Sequence, residues 1–336
     1  MSNSMSSAPF NDKANSQSYA PSMSLEMAVK RAQFMETLRQ FFAEREVLEV
    51  QTPLMSQAGN TDVFVPSIST NVTVQDKPQT HYLHTSPEFA MKRMLAAWQV
   101  AMYQICPVFR DNEVSGRHNS EFTMLEWYRP GFSLEALANE LSDLLTAVYG
   151  QPQKLTHYSY SQAFLDHVGL HPLTASLEAI IAVATEHGFG GLELGEDRQG
   201  WLDVLFSHLV EPNLGHDMPT LITDYPPATA ALAKVETDEQ GNEVAKRFEL
   251  YINGIEIANA YDELADGAAL QARFEADNKE RASRGLPIMP IDKHLVAACD
   301  DLPACSGIAL GVDRLLMVVT GAKKIDEVIG FGIGRA

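Results

Sequence analysis

The chain has 336 residues, 45% of them hydrophobic, which is enough for a large core, and it carries 44 Asp and Glu against 25 Lys and Arg, a formal charge of −19. That balance opposes stable binding to tRNA or any other phosphate backbone, for which a basic face is needed, and no apolar run approaches the roughly 20 residues that cross a bilayer. Cys106, Cys299 and Cys305 lack metal spacing and read as reduced, buried thiols, so the expectation is a cytoplasmic protein free of the membrane.

Residues 1–24 are rich in Ser, Asn and Met, show no helix or strand period, and are expected to form a disordered tail. Met27, Ala28, Phe34, Met35, Leu38, Phe41 and Phe42 recur at helical spacing, which predicts an amphipathic helix over 25–45. Ser86-Pro87-Glu88 has the form of a helix start: a cap residue, a proline in the first turn, then an acid. The apolar runs 101–109 and 122–128 read as two strands joined by a long polar loop. Leu134, Leu137, Leu141, Leu144 and Val148 predict a helix closed by Gly150. Residues 151–215 are expected to be a mostly helical insertion. Strands follow near 220–225, 246–252 and 255–261, then a helix near 267–284 and a final Gly-rich strand and helix. Internal repeats are absent. Together these predict an α/β (α+β) domain over 25–336 with a mainly antiparallel sheet flanked by helices.

Chemistry concentrates in three segments. Pro107 to Arg129 threads Arg110, Arg117, Arg129, His118 and the carboxylates Asp111, Glu113, Glu121 and Glu126 between apolar residues. The planar fork of a guanidinium suits an anion held in one orientation, a triphosphate or a carboxylate, although such a hairpin taken alone is more often a salt-bridged surface. In Cys305 to Val319, a strand, a break at Gly311 and a helix carry Asp313 and Arg314 in the first helical turn. An arginine there opposes the helix dipole and needs either a buried carboxylate or a polyphosphate to face. Around Asn253-Gly254, the strongest short hairpin signal, Glu249 is expected on one face with Tyr251, and Glu256 on one face with Ala258 and Ala260. Glu249 and Glu256 flank the turn almost symmetrically, and two close carboxylates repel unless a cation separates them; hard oxygen ligands imply Mg²⁺.

These segments resemble the three signature motifs of the class II aminoacyl-tRNA synthetases. Phe109-Arg110 with Glu113 and Phe122 is similar to the second motif, Gly311-Val312-Asp313-Arg314 to the third, and Phe41 to Pro53 to the dimer-forming first, which implies a homodimer. The match is nearest to the lysyl enzymes, through Thr85 to Glu88 and Arg117 to Glu126, and it covers nearly all of residues 25–336. Lysyl-tRNA synthetases carry an anticodon-reading barrel before this domain, and the 24 residues here are too few for five strands. The chain is in that respect similar to a family of freestanding bacterial ligases that place a lysine-type amino acid, (R)-β-lysine, on a lysine side chain of elongation factor P. Glu126 to Pro130 and Arg284 to Asp292 carry that likeness.

The resemblance implies ATP and Mg²⁺ as reaction partners and an acyl-adenylate as the product of the first step. Arg110 would bridge the substrate carboxylate and the α-phosphate, Arg314 would hold the γ-phosphate end, and Phe122 would stack on adenine. Asp111, Asn112, Glu113, His118 and Asn119 would belong to the loop over the nucleotide, with Ile257 and Gly311 beside it and Glu249 and Glu256 on the metal. Ser86, Pro87, Glu88, Glu126, Tyr128, Asn259, Tyr261, Glu263 and Ala309 would line the amino-acid pocket. Three acids there favour a substrate with two ammonium groups, since a neutral side chain would leave them unpaired at several kcal/mol. Taken by itself, Glu126 also reads as an ion-pair partner for Arg129. The chain departs from the family pattern twice. Asn112 stands at the usual Glu position with Glu113 after it, and Ala309 replaces a Gly, which reshapes the pocket floor.

Overall fold

One twisted sheet organises residues 19–336, the part described by the computed structural model. The chain runs through α1 (Leu25–Ala43), β1 (Leu48–Glu49), β2 (Met55–Ser56), β3 (Ser69–Val74), β4 (Lys77–Leu83), α2 (Glu88–Trp98), β5 (Met102–Phe109), β6 (Glu121–Pro130) and α3 (Leu134–Tyr149). It continues with β7 (Thr156–Ser159), α4 (Tyr160–Val168), α5 (Leu177–Glu186), α6 (Arg198–Leu205), β8 (Thr220–Tyr225), β9 (Val235–Thr237), β10 (Glu243–Ile252) and β11 (Ile255–Asp262), and closes with α7 (Gly267–Ser283), α8 (Lys293–Cys299), β12 (Cys305–Gly311) and α9 (Val312–Thr320). The main sheet has the order β1-β5-β6-β12-β11-β10-β8-β7, with β9 beside β10, and is antiparallel except where β1 joins β5 and β7 joins β8.

Strand alternation divides the sheet's residues between two layers. Leu125 and Trp127 of β6, Phe248 and Leu250 of β10, and Ile308 and Leu310 of β12 pack with Phe34, Leu38 and Phe42 of α1 and Leu137, Leu141 and Leu144 of α3. The intervening residues of β6, Glu126 and Tyr128, point to the other layer, where Tyr128 packs with Met91 and Leu95 of α2, Phe274 of α7 and Leu295 of α8. Trp127 is fully buried and its indole N–H donates to Glu140 at 3.0 Å. Arg129 also pairs with Glu140, at 3.3 Å, so it is not the partner of Glu126.

The strongest tie between α1 and the sheet runs through Asp313. This buried carboxylate at the start of α9 accepts from the Arg31 guanidinium at 2.5 Å and from the Thr123 backbone N–H at 2.7 Å. Removing it would leave the part-buried Arg31 with only neutral acceptors, the Thr123 hydroxyl and the Val328 backbone oxygen. Asp313→Ala is expected to lower unfolding stability by about 3–5 kcal/mol, measurable by urea denaturation.

Several expectations need correction. Residues 1–18 of the expected tail lie outside the described residues; in the rest of it, Ala20 is buried and the Ser22 N–H donates to Gly330 O at 2.7 Å. The helix after Ser86 starts at Glu88, with Pro87 at the cap position, while the Ser86 hydroxyl accepts the Glu88 N–H. The 151–215 segment holds α4, α5 and α6, the last running on into a π-helical turn at Phe206–Val210, and in addition a strand, β7, that extends the sheet past β8. A three-stranded sheet of β2, β4 and β3, and the short α8, had no counterpart among the predicted elements.

The hairpin itself forms as expected. Asn253 and Gly254 both have positive φ, 54° and 66°, the two-residue turn that this dipeptide favours. The predicted faces do not all hold, because the register shifts between Leu250 and Tyr251. Leu250 pairs with Ala258 but Tyr251 pairs with Glu256, so Ile257 is the extra residue of a bulge. Glu256 therefore leaves the face of Ala258 and Ala260 and joins that of Glu249 and Asn259.

Candidate active site

A cavity of about 690 Å³ lies on the α2 and α7 side of the sheet, floored by β6, β12 and β11. Phe122, Met124, Glu126 and Tyr128 run along β6, spanning roughly 20 Å of strand, and Gly307, Ala309 and Gly311 run along β12 in the opposite sense. The floor thus has two chemically distinct ends, each assembled from matching positions of antiparallel neighbours.

At the Phe122 end stand Arg110, Arg117, Arg314, His118, Glu113 and Glu256. The Arg110 guanidinium lies 5.2 Å from the centre of the Phe122 ring and 3.7 Å from Glu113. Arg314 donates to the Glu256 backbone oxygen at 3.0 Å, with the Glu256 carboxylate 3.6 Å away. Burial, and then the nearby Arg314, hold the His118 ring below the usual histidine range. Its Nδ1 lies 2.7 Å from the Ser115 hydroxyl. Arg110 just past the end of β5, Arg117 in the same loop and Arg314 on α9 line this end of the cavity, with Arg110 over the Phe122 ring, an arrangement suited to a flat base followed by a chain of phosphates.

At the Tyr128 end the carboxylates dominate. Glu126 is buried and accepts from the hydroxyls of Ser86 and Tyr128, both at 2.6 Å, with no ion-pair partner among the described residues. Burial, and then the neighbouring Glu88, push its carboxyl up to about 8. Glu88 and Glu263 share one ammonium, that of Lys92, at 2.6 and 2.5 Å. Ala309 sits in register between Glu126 and Asn259, in the middle of the floor. The Asn259 side-chain N–H donates to the Tyr261 hydroxyl at 3.0 Å.

The structure brings together seventeen of the residues expected at the site: Ser86, Glu88, Arg110, Glu113, His118, Asn119, Phe122, Glu126, Tyr128, Glu256, Ile257, Asn259, Tyr261, Glu263, Ala309, Gly311 and Arg314 all line the cavity. Four do not. Asp111 and Asn112 are exposed, with Asn112 in the left-handed region, so Glu113 is the acid that reaches the cavity from this loop. Pro87 faces a neighbouring cavity instead. Glu249 lies beneath the wall, bound by Arg247 and by the hydroxyls of Tyr225 and Tyr251 at 2.6 and 2.5 Å. Among the described residues no three His, Cys, Asp or Glu side chains converge as a ready-made metal cage. The donors present suit Mg²⁺ only in part: Glu256 reaches the cavity, while Glu249 is committed to Arg247.

Sequence reasoning missed four contributors. The loop 60–65 forms part of the wall, with Thr61 buried and bonded to Asp277 at 2.6 Å. Glu211, pushed up to about 7 by burial and then by Glu256 and Glu249, stands beside the metal candidates. Lys92 lies hidden behind the acids. Gly307 is the clearest, because a glycine inside a strand signals a close approach. A methyl group there would overlap Glu263 Oε1 and Tyr128 Cε1 and sit 2.6 Å from Tyr128 Cδ1. Gly307→Ala is expected to displace both neighbours and to cost about 1–3 kcal/mol of stability, read from thermal unfolding.

Comparison with known proteins agrees with this geometry. The family model described as tRNA synthetases class II (D, K and N) matches residues 17–334. The chain is 43% identical over 323 residues to a protein of Mannheimia succiniciproducens named elongation factor P–(R)-β-lysine ligase, covering 95% of this chain and 99% of that one. Proteins of the same name from Haemophilus ducreyi, 43% identical over 321 residues, and Pectobacterium atrosepticum, 44% identical over 323, cover 95% of this chain and 97% and 98% of their own length. The antiparallel sheet, the three motif segments and the family match converge, and the chain belongs to the class II tRNA synthetases of the D, K and N group.

Proposed function

We propose that the protein is an ATP-dependent ligase that activates a lysine-type amino acid, (R)-β-lysine or lysine, as an acyl-adenylate and transfers it to a lysine side chain of elongation factor P. The observation that carries this reading is one cavity with three guanidinium groups and an aromatic ring at one end and the carboxylates Glu88, Glu126 and Glu263 at the other. A molecule whose acyl carboxylate points to Arg110 and whose amino groups point to Glu88, Glu126 and Glu263 fits that polarity. Its carboxylate oxygen attacks the α-phosphorus of ATP and expels pyrophosphate. Both reactants are anions, so the protein contributes position and charge neutralisation more than proton transfer. Arg110 bridges carboxylate and α-phosphate, Arg314 holds the distal phosphates, and Phe122 supports the base. Glu256 would hold Mg²⁺, which would supply further neutralisation of the triphosphate.

The relatives' shared name supports elongation factor P as the acceptor, and a charge of −19 disfavours a tRNA acceptor. Pairing of two copies through the segment 41–53 belongs to the same proposal. Among the described residues no helix is long and apolar enough to cross a membrane. Pyrophosphate exchange with a panel of amino acids tests the first step, with exchange expected for lysine and β-lysine and none for leucine or aspartate. Labelled β-lysine appearing on elongation factor P tests the second. Charging of tRNA by the purified chain in place of the protein would replace this reading with a synthetase.

A further inference from the structure

Lys92 belongs to no motif, yet it is one of the most deeply buried charged side chains of the protein, 2% exposed in the middle of α2. Its Nζ lies 2.6 Å from Glu88 Oε1 and 2.5 Å from Glu263 Oε2, and it does not line the cavity. Burying an ammonium costs several kcal/mol unless acids repay it, so its presence behind the pocket requires explanation. A plain structural salt bridge needs one carboxylate. Lys92 touches two, both of which line the cavity, and a third, Glu126, stands beside them with only hydroxyl donors.

We infer that Lys92 is a resident counter-ion that fixes the charge deficit of the pocket at two, and so determines specificity for substrates carrying two ammonium groups. With three carboxylates and one ammonium, the occupied pocket lacks two positive charges. A monoamino acid leaves one anion buried and unpaired, whereas a diamino acid fills the deficit. Lys92 acts through Glu88 and Glu263 and touches no substrate; it is a positioning residue. This inference rests on the reading of the acid end as the amino-acid site.

The charged and titratable neighbours of the pair are Glu88 on α2, Glu126 and Tyr128 on β6, Tyr261 and Asp262 on β11, Cys299 on α8 and Cys305 on β12. All the acids among them disfavour further negative charge, and Lys92 is the ammonium in contact with Glu88 and Glu263. When Lys92 loses its charge, burial and the remaining acids make one carboxylate of this set take up a proton in the empty pocket. A diammonium ligand then pairs two of the three acids, and the third keeps its proton in the complex.

The test compares two probes by titration calorimetry of the full-length protein at pH 7.5: pentane-1,5-diamine, which is lysine without its carboxylate and needs neither ATP nor Arg110, and pentan-1-amine. Glu263→Gln, which keeps Lys92, leaves a deficit of one and is expected to cut the wild-type preference for the diamine over the monoamine at least about tenfold, and Lys92→Met/Glu263→Gln, with a deficit of two again, to restore it. A merely space-filling lysine would leave the preference the same in both variants, which overturns the inference. If Lys92→Met/Glu263→Gln does not fold, Lys92→Met/Glu88→Gln carries the same charge sum and the same expectation. Wild type that binds the diamine but shows no pyrophosphate exchange refutes the proposed ligase while leaving the preference readable. Wild type that binds neither probe overturns both.

Discussion

Arg110→Ala should reduce lysine- or β-lysine-dependent pyrophosphate exchange by about 10²–10³-fold, the largest loss expected of any single substitution at the nucleotide end. The magnitude follows from what happens at the α-phosphorus, where negative charge gathers as an anionic nucleophile arrives. Removing one preorganised donor from such a centre costs on the order of 3 kcal/mol of barrier. Arg110 sits against the Phe122 ring with its Nε unpartnered, so part of its hydrogen-bonding capacity is free for a ligand. Arg110→Lys should recover little, because a point charge cannot take up the fork geometry. Diamine binding in the absence of ATP should be unchanged, since the acids lie at the other end of β6. Exchange within threefold of wild type would remove Arg110 from the reaction and with it the assignment of this end to the triphosphate.

The sequence made the elements legible wherever one period or one turn residue decides. The β10–β11 turn is read from Asn253-Gly254 alone, and α3 from its leucine spacing and Gly150. Alternation along β6 places Glu126 and Tyr128 together without any structure. What defeated sequence reasoning was a departure from strict period or a dependence on distant partners. A single extra residue at Ile257 moved Glu256 to the other face, and nothing in the local apolar pattern announces such a bulge. Lys92 follows Met91 in a helix, where a lysine is ordinarily taken for solvated; its burial is set by Glu263, 171 positions later, at the end of β11. Glu249 looked like a ligand because Arg247 and Tyr251 lie on its own strand and face, and their capture of it depends on Tyr225 from β8. The motif likeness found the two arginines and the acids, while the charge accounting among those acids required coordinates.

That accounting sets the second large effect. Glu126→Gln keeps the shape of the side chain but removes the member of the Glu88, Glu126 and Glu263 set that has no ion-pair partner among the described residues. The substrate amine that it meets would lose a buried charge partner, which costs on the order of 3–5 kcal/mol, so the KM for the amino acid should rise by at least about 100-fold while the KM for ATP stays near wild type. The pH behaviour carries the diagnosis. In the empty protein Glu126 has its carboxyl raised to about 8, far above its unfolded value, so its stabilising contribution is complete below the ordinary carboxylate range and is lost as pH rises towards about 8. Ligand-free wild type should therefore become less stable between about pH 5 and 8, and Glu126→Gln should show a shallower decline and be the more stable of the two at pH 8. Substrate reverses the sign: a diammonium ligand needs the anion, so below about pH 8 wild-type affinity should improve by up to tenfold per unit of rising pH, and this slope should be missing in the variant. Urea unfolding with and without lysine, repeated across pH 6 to 8.5, reads both halves at once. A variant that keeps the wild-type slopes would show that the acid end titrates through Glu263, and Glu126 would lose its place as the carboxylate that selects the second amine.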